Sequence, residues 1–399
     1  MTCQVKGIKE IILLGFYQQD GDLVKFLQHV KQEFKIPVKY LQEYKPLGTA
    51  GGIYHFRDLI FSGDTTKLIV LHSDICCDFN HELMLEYHNK CSQTTHKCTN
   101  ILTLMTTEAI RSQSLNYGCA VFDSNHKLLH YVEKPETFVS QNINCGTYVM
   151  TKDIIPIIKQ IQKLRFELTG DVDICQVISI ERDILPYVAG TGCCYGMQTN
   201  RFWSQVKNAG AAIYANRHYL AMYRKTHPEW LASPRLVRRN YLRSMSRDAL
   251  VLNSANEFPD IVGDVYIHPS ARIHPTAKLG PNVSVGKNAV IGPGCRVRES
   301  VVLDGATLGD NCCIINAIIG WHSSIGMWSR IEGTPNDPNP NKPFAKLEFQ
   351  PLFSEQGRLN PSITLIGANV QVGAEVVVLN SIVLPDKELN QDCKNRIVL

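Results

Sequence analysis

This chain is marked first by what it does not contain. It has 14 cysteines but no CxxC pair. Its adjacent pairs, Cys76-Cys77, Cys193-Cys194 and Cys312-Cys313, suit neither a zinc site nor an ordinary disulfide. Reduced thiols are therefore expected. No apolar run approaches the ~20 residues that span a bilayer, and no apolar export segment opens the sequence. The expectation is a cytoplasmic protein with no membrane partner. Charge of one sign is also scarce. A formal net charge of +4 over 399 residues is too small to imply nucleic acid or an anionic membrane. What remains, 44% hydrophobic and 20% charged residues, fits ordinary globular domains with length for two or three cores.

The first half alternates strand and helix patterns. "EIILLGF" (Glu10 to Phe16) reads as a buried strand, and Asp22 to Phe34 carries apolar residues at helical spacing. "PVKYL" follows as a strand, Gly51 to Phe61 as a helix, and "KLIVLHSD" (Lys67 to Asp74) as a strand ending on an acid. "HELMLEYHNK" reads as a helix and "NILTLMTT" as a strand. This order predicts an α/β fold of Rossmann-like type with a mainly parallel, doubly wound sheet. Ligands of such sheets bind beyond the carboxyl ends of the strands, where "QEYKPLGTAGG" and "HSD" both fall. "KLLHYVEKP" and "INCGTYVM" add strands. Helical segments are expected near Asp173 to Tyr187 and over Val206 to Lys225. The basic stretch with Arg235, Arg238, Arg239, Arg243 and Arg247 reads as a solvated linker.

From Ile267 the period changes. An aliphatic residue recurs every six positions, at Ile267, Ile273, Leu279, Val285, Ile291 and Val297, usually followed by Gly or His and then Pro or another turn former. Six residues make one short strand and a turn, and three such units make one triangular coil. The pattern predicts a left-handed parallel β-helix. After slipped registers it resumes at Ile319, Ile325 and Ile331, and again at Ile366, Val372 and Val378. A proline-rich segment, Gly333 to Pro361, interrupts it and fits neither helix nor coil strand. A loop of this length inside a regular solenoid points to a functional role. The expected regions are 1–226, a linker at 227–260, and a β-helix at 261–399 with a loop at about 333–361.

In this order, "LGTAGG", "HSDICCDF", "YVEKP", "NCGTYVM" and the hexapeptides resemble the sugar-phosphate nucleotidyltransferases that carry a C-terminal β-helix. "QSLNYG", "WSQ", "IIGWHSSIG" and "EGTPNDPNPN" resemble the regulatory alpha branch of the mannose-1-phosphate guanylyltransferases. The resemblance covers nearly the whole chain. It implies a binding site for GDP-mannose. Glu43 would accept from the guanine donors. Gly48, Thr49 and Gly51 would form the loop beside base and ribose, with small residues letting the backbone approach. Glu133 would hold sugar hydroxyls and Lys134 would meet the phosphate. Asn144 and Gly146 would line the sugar, and Gln205 would donate to a phosphate or ribose oxygen. Asp74 is a relic acid or a sugar ligand. The loop residues Gly333, Pro335, Asp337, Pro338 and Pro340 would reach a partner, a catalytic beta-type guanylyltransferase subunit, within homo- or hetero-oligomers.

Two departures bear on chemistry. In the family, nucleotidyl transfer uses a cationic GxGxR…PK loop on the triphosphate, and Mg²⁺ held by two aspartates. This sequence starts with "TCQVKGIKEIILLGF", which matches the family's second strand. The expectation is that the first strand and the phosphate loop lie outside it, leaving neighbouring strands without backbone partners. Second, the position two residues after Trp203 holds Gln205 instead of an aspartate. A neutral amide is a poor Mg²⁺ ligand, so Asp74 is the one remaining candidate ligand. The resemblance therefore implies a non-catalytic, feedback-regulating subunit with no catalytic residue and no required cofactor; Mg²⁺ would enter only in an active enzyme. Two other readings stay open: an active guanylyltransferase, and a scaffold that binds no sugar, like translation-factor relatives. His268 and His274 stand in "IHP" turns and read as structural. His322 has no partner motif, and His72 reads as packing.

Overall fold

The computed structural model describes residues 5–93, 99–232, 259–348 and 350–399. Arg235, Arg238, Arg239, Arg243 and Arg247, and most of the expected linker, lie outside the described residues. The chain divides into two compact units: Met1–Trp203 with Pro340–Lys346, and Ser204–Asn339 with Leu347–Leu399.

In the first unit, strands β1 (Ile11–Gly15) and β2 (Val38–Gln42) pair in parallel. Between them runs α1 (Gly21–Phe34), started by Asp20, whose carboxylate accepts from Leu23 N at 2.8 Å. The helix expected from Gly51 is two short ones, α2 (Gly48–His55) and α3 (Arg57–Ile60). Next come β3 (Lys67–Leu71), β4 (Ile75–Cys77), α4 (His81–Gln93) and β5 (Leu102–Glu108). They are followed by α5 (Arg111–Ser114), β6 (Gly118–Phe122), β7 (Leu128–Glu133) and β8 (Asn142–Thr151).

A sheet of order β7-β6-β8-β5, with β3 also on β8, forms the framework. The long strand β8 runs antiparallel to both β3 and β5. The expected mainly parallel sheet is therefore a mixed one, although the α/β class holds. An almost wholly buried strand such as β8 reads the same in either direction, because its apolar run carries no sign of its neighbours' sense. Alternate residues of β8 feed two cores. Tyr148 and Met150 pack with Leu102, Leu104 and Ile158. Ile143, Cys145 and Val149 pack with Phe79, Met84, Met105 and Trp203. Among the described residues, β1 and β2 form a separate two-stranded ladder.

After β8 lies α6 (Ile154–Thr169), which the sequence pattern does not predict. Its Pro156 sits in the first turn, where a missing N–H is tolerated. The helix expected from Asp173 to Tyr187 is broken into α7 (Val172–Gln176), a π-turn at Ile180–Ile184 and α8 (Leu185–Val188). Ser179 breaks it by capping the π-turn, its hydroxyl accepting from Glu181 N and Arg182 N. β9 (Cys194–Gln198) closes the sheet parallel to β5. Cys193 is disulfide-bonded, which departs from the expectation of reduced thiols. β10 (Trp203–Gln205) straddles the division of the units, and α9 (Ala209–Thr226) belongs to the second.

The second unit is the β-helix. Three parallel ladders carry seven, seven and six strands, and the expected aliphatic residues form one interior stack. Leu279, Val285, Ile291, Val297, Ile319, Ile325, Ile331, Ile366 and Val378 are almost fully buried. The slipped registers have one cause. Val265 faces Val283, a coil of 18 residues, whereas Val285 faces Val302, a coil of 17. The shorter side recurs at one corner, where the small residues Ser300, Ala317, Thr364 and Ser381 are buried. There the hydroxyls take over backbone duties: Ser300 Oγ accepts from Ala317 N at 3.2 Å, and Ser381 Oγ donates to Leu379 O at 2.7 Å. Among its described residues, the interruption at Gly333 to Pro361 contains neither helix nor coil strand, as expected.

Deleting interior volume should cost what a cavity costs. Ile314 is fully buried, so Ile314→Ala should lower stability by about 2–5 kcal/mol, read as a lower midpoint in urea unfolding. Lys287→Ala, on an exposed turn, should leave it within about 0.5 kcal/mol.

Candidate functional site

The glycine-bearing stretch after β2 is helix α2. A side chain at Gly48 would come within 2.5 Å of Ile178 O, and one at Gly51 within 2.5 Å of Gln176 O. Gly48 also holds φ +78, in the left-handed region. Both glycines are thus required by the packing of α2 on the segment before the π-turn. Glu43 is buried beside this helix and accepts from Leu47 N at 3.2 Å. Burial raises its pKa, with the Leu47 N–H pulling the other way. Thr49 is exposed, but its hydroxyl is engaged within the chain. Its hydroxyl donates to Glu181 Oε2 at 2.8 Å and accepts from Ile180 N at 2.7 Å.

Glu181, which no sequence pattern singles out, joins two groups of expected site residues. Its Oε2 also accepts from Ser179 Oγ at 2.8 Å. Its Oε1 accepts from the Tyr148 hydroxyl at 2.8 Å and lies 2.9 Å from His72 Nε2. The His72 contact is ionic and lacks hydrogen-bond alignment; Nε2 has no aligned acceptor among the described residues. Burial is the largest influence on Glu181 and would raise its pKa. Contacts from His72, Ser179 and Tyr148 outweigh it and lower the value to about 2. Burial likewise opposes the His72 cation. The Glu181 carboxylate, helped by Asp74 and Glu133, overcomes it and raises the His72 pKa. His72 is therefore half of a partly buried ion pair, a correction to the packing role expected. Its partner lies far along the chain, beyond the reach of any local pattern.

The network continues through β8. Asn144 Nδ2 donates to the Tyr148 hydroxyl at 2.7 Å and to the Tyr131 hydroxyl at 3.0 Å. Asn144 Oδ1 accepts from Gly146 N at 2.9 Å. The Tyr131 hydroxyl donates to Glu133 Oε2 at 3.0 Å. Gly146 holds φ +68, and a side chain there would come 2.7 Å from His72 Nδ1. Glu133, Asn144 and Gly146 are thus brought together, with Tyr131, Tyr148, His72 and Glu181 behind them. Lys134 follows Glu133 with φ 48 and an exposed side chain. Asp74 is half-buried in the turn between β3 and β4, and its charge reaches His72. Gln205 belongs to the second unit, and its Oε1 is buried without a hydrogen-bond partner among the described residues. Among the described residues no group of three or more His, Cys, Asp or Glu converges to hold a metal ion. One carboxylate and one amide are a poor donor set for Mg²⁺, so these residues do not fit the metal that the wider family uses.

The proline-rich insertion is anchored in the second unit at its start. Asp337 accepts from Arg217 Nη1 at 3.0 Å, and the same guanidinium donates from Nε and Nη2 to Glu299 at 3.2 and 3.1 Å. A side chain at Gly333 would strike Asn316 O and the Ile363 backbone. Pro338 and Pro340 follow. Pro340–Lys346 packs as part of the first unit. There the Gln113 amide donates to Lys346 O at 2.7 Å and accepts from Lys346 N at 2.8 Å. His268 and His274 serve their turns as expected, each ring Nδ1 accepting the N–H two residues on, at 3.1 and 3.2 Å. A groove of about 1200 Å³ runs along the second unit past Trp230, His268 and His274, and none of the expected site residues lines it.

A mixed α/β sheet with an acid-lined strand-end site, and a separate hexapeptide β-helix, define the class: a nucleotidyltransferase fold with a β-helical C-terminal unit. The nucleotidyl transferase family profile matches residues 1–219, and the GMPPB C-terminal domain profile matches residues 261–398. The mannose-1-phosphate guanylyltransferase regulatory subunit alpha-B of Danio rerio is 48% identical over 99% of this chain and 89% of its own length. The Xenopus tropicalis regulatory subunit alpha is 48% identical and the Homo sapiens one 46%, with the same coverage. The chain belongs to the family of mannose-1-phosphate guanylyltransferase regulatory subunits alpha. No helix among the described residues is long and apolar enough to cross a membrane.

The ion pair gives a pH signature. The raised His72 pKa contributes stability that is complete below its unfolded value near 6.5. That stability is lost as pH rises through the folded value. The lowered Glu181 pKa contributes stability present above about 4.5 and lost only as pH falls toward about 2. His72→Gln should therefore melt well below the parent at pH 6 and close to it at pH 9, measured by thermal unfolding in both buffers. Gly146→Ala should cost at least about 1–2 kcal/mol, from its left-handed backbone alone.

Proposed function

We propose that this chain binds GDP-mannose in its first unit without turning over GTP, and that it restrains a catalytic guanylyltransferase subunit when GDP-mannose accumulates. The observation that supports the reading is that Glu133, Asn144 and Gly146, the group proposed to face the sugar, are tied together through hydrogen bonds with Tyr131, in a chain that holds Gln205 two residues after Trp203. Glu43 and the α2 stretch supply the guanine side, through the Glu43 carboxylate and the backbone of Gly48, Thr49 and Gly51. Asp74 and exposed Lys134 complete the sugar-phosphate side. The relatives are named as regulatory subunits. That supports a catalytic partner of guanylyltransferase type and a hetero-oligomer; a cytoplasmic setting is part of the same proposal. Feedback inhibition follows if ligand binding favours one arrangement of the complex by differential contacts. The insertion from Gly333 through Pro335, Asp337, Pro338 and Pro340 is the element proposed to meet the partner.

Calorimetry should show saturable GDP-mannose binding to this chain, and the chain alone should form no GDP-mannose from GTP and mannose 1-phosphate. Mixed with a catalytic subunit, it should make the rate fall as GDP-mannose is added, more steeply than for the catalytic subunit alone. Absence of binding heat, or robust turnover without a partner, overturns the reading.

A further inference from the structure

The six-strand ladder of the second unit has an outer face with an ordered composition. Register places Arg272, Val290, Thr307, Ser324, Gln371 and Glu388 in one column, one residue per coil. Each alternates with a buried aliphatic residue of the interior stack and so stands on the outer side. Arg272 and Glu388, at the two ends, are exposed, and neither has an ion-pair partner among the described residues; Glu388 meets the Asn390 amide of its own turn. The turns repeat this polarity. His274 and Lys287 are exposed at the arginine end, whereas Glu375, Asp386 and Asp392 are exposed at the glutamate end, with Lys387 among them. Asp304 and Asp310 stand near the middle. The groove past Trp230 runs along the arginine half, where Arg272, Val290 and Thr307 line it. The middle also carries large apolar groups. Trp321 precedes the strand of Ser324, and Met327 and Trp328 follow it; they are 53%, 52% and 62% exposed. Trp328 holds φ 61, at a turn position that Gly294, Asn311 and Glu375 fill in neighbouring coils. That conformation is strained for a bulky residue. Here it holds outward a ring that the chain itself leaves in water.

We propose that this face is a self-association surface, and that its occupant is a second copy of this chain with its β-helix running the opposite way. A two-fold axis parallel to the strands, passing between Thr307 and Ser324, sets Arg272 of each copy against Glu388 of the other. It also brings His274 level with Asp392, and seats the acidic half of one copy along the groove of the other. Trp321 and Trp328 then lie beside the axis, aromatic anchors at the centre with charges at the rim. The parallel arrangement would set Arg272 on Arg272 and Glu388 on Glu388, so the charge order selects the antiparallel one. A face of roughly 24 Å by 18 Å buries on the order of 900 Å² over both copies, at the low end for a specific contact, which fits a weak dimer. The surface lies apart from the proposed sugar-nucleotide site. Neither GDP-mannose nor a catalytic subunit enters the argument, so this inference and the proposed function stand or fall separately.

Sedimentation velocity of the full chain without nucleotide should show a monomer–dimer equilibrium at micromolar concentrations, weakened by added salt. Arg272→Glu and Glu388→Arg should each weaken it about tenfold or more, because both symmetric contacts become like-charged. An equimolar mixture of these two variants should dimerise as the parent does, since every contact then joins opposite charges. Damage to the fold would not recover on mixing. Trp328→Asn introduces a residue suited to positive φ, so it should weaken the dimer about tenfold or more while the thermal midpoint stays level or rises. A parent that stays monomeric, a dimer that none of these substitutions weakens, or a mixture that does not recover overturns the inference. So does a monomeric parent that binds a catalytic guanylyltransferase subunit and loses that binding in Arg272→Glu, a result that would assign the face to that subunit.

Discussion

One buried carboxylate holds the first unit's site together. Glu181 accepts from Thr49 at the start of α2, from Ser179 at the break before the π-turn, and from Tyr148 in β8, and it pairs with His72 at the end of β3. Four separated segments therefore share one anion. Burying that anion is costly alone, and it is stable only because its oxygens are satisfied and a cation faces it. The arrangement is all-or-none: removing any one partner leaves the charge buried with fewer neighbours. Site geometry and local stability are for this reason the same physical quantity in this half of the molecule.

The second unit rests on a different constraint, the repeat length of its coils. Each side needs an aliphatic residue inside and a turn that leaves no buried backbone group unpaired. Residues with φ near +60, many of them asparagine, occupy the turns: Asn282, Asn288, Asn311, Asn369 and others. The five-residue side is tolerated because Ser300, Thr364 and Ser381 supply the hydrogen bonds that a missing residue would have made. Local chemistry at one corner keeps the long-range register of all three ladders.

How much of the molecule is legible in its sequence depends on whether the signal is local. The hexapeptide interior is readable residue by residue, because stacking repeats one short pattern. The short strand β1 and helix α1 are readable for the same reason. The direction of β8 is not, since a strand buried on both faces carries no polarity. Helix α6, with Pro156 in its first turn, escapes the pattern as well. In the site, Glu133, Asn144 and Gly146 stand out by resemblance and are close together. The reasons attached to other residues change. Gly48 and Gly51 make room for the chain at Gln176 and Ile178, and the Thr49 hydroxyl is consumed internally. Glu181 and Ser179 are hidden inside an apparent helix, and His72 cannot be understood without them. Hydrogen-bond direction emerges only when all partners are present.

The Arg217 fork has a mechanical consequence. One guanidinium grips both Glu299, on a coil corner, and Asp337, inside the insertion. The first turn of the insertion is thereby part of the solenoid's stiff frame, not of the excursion that leaves it.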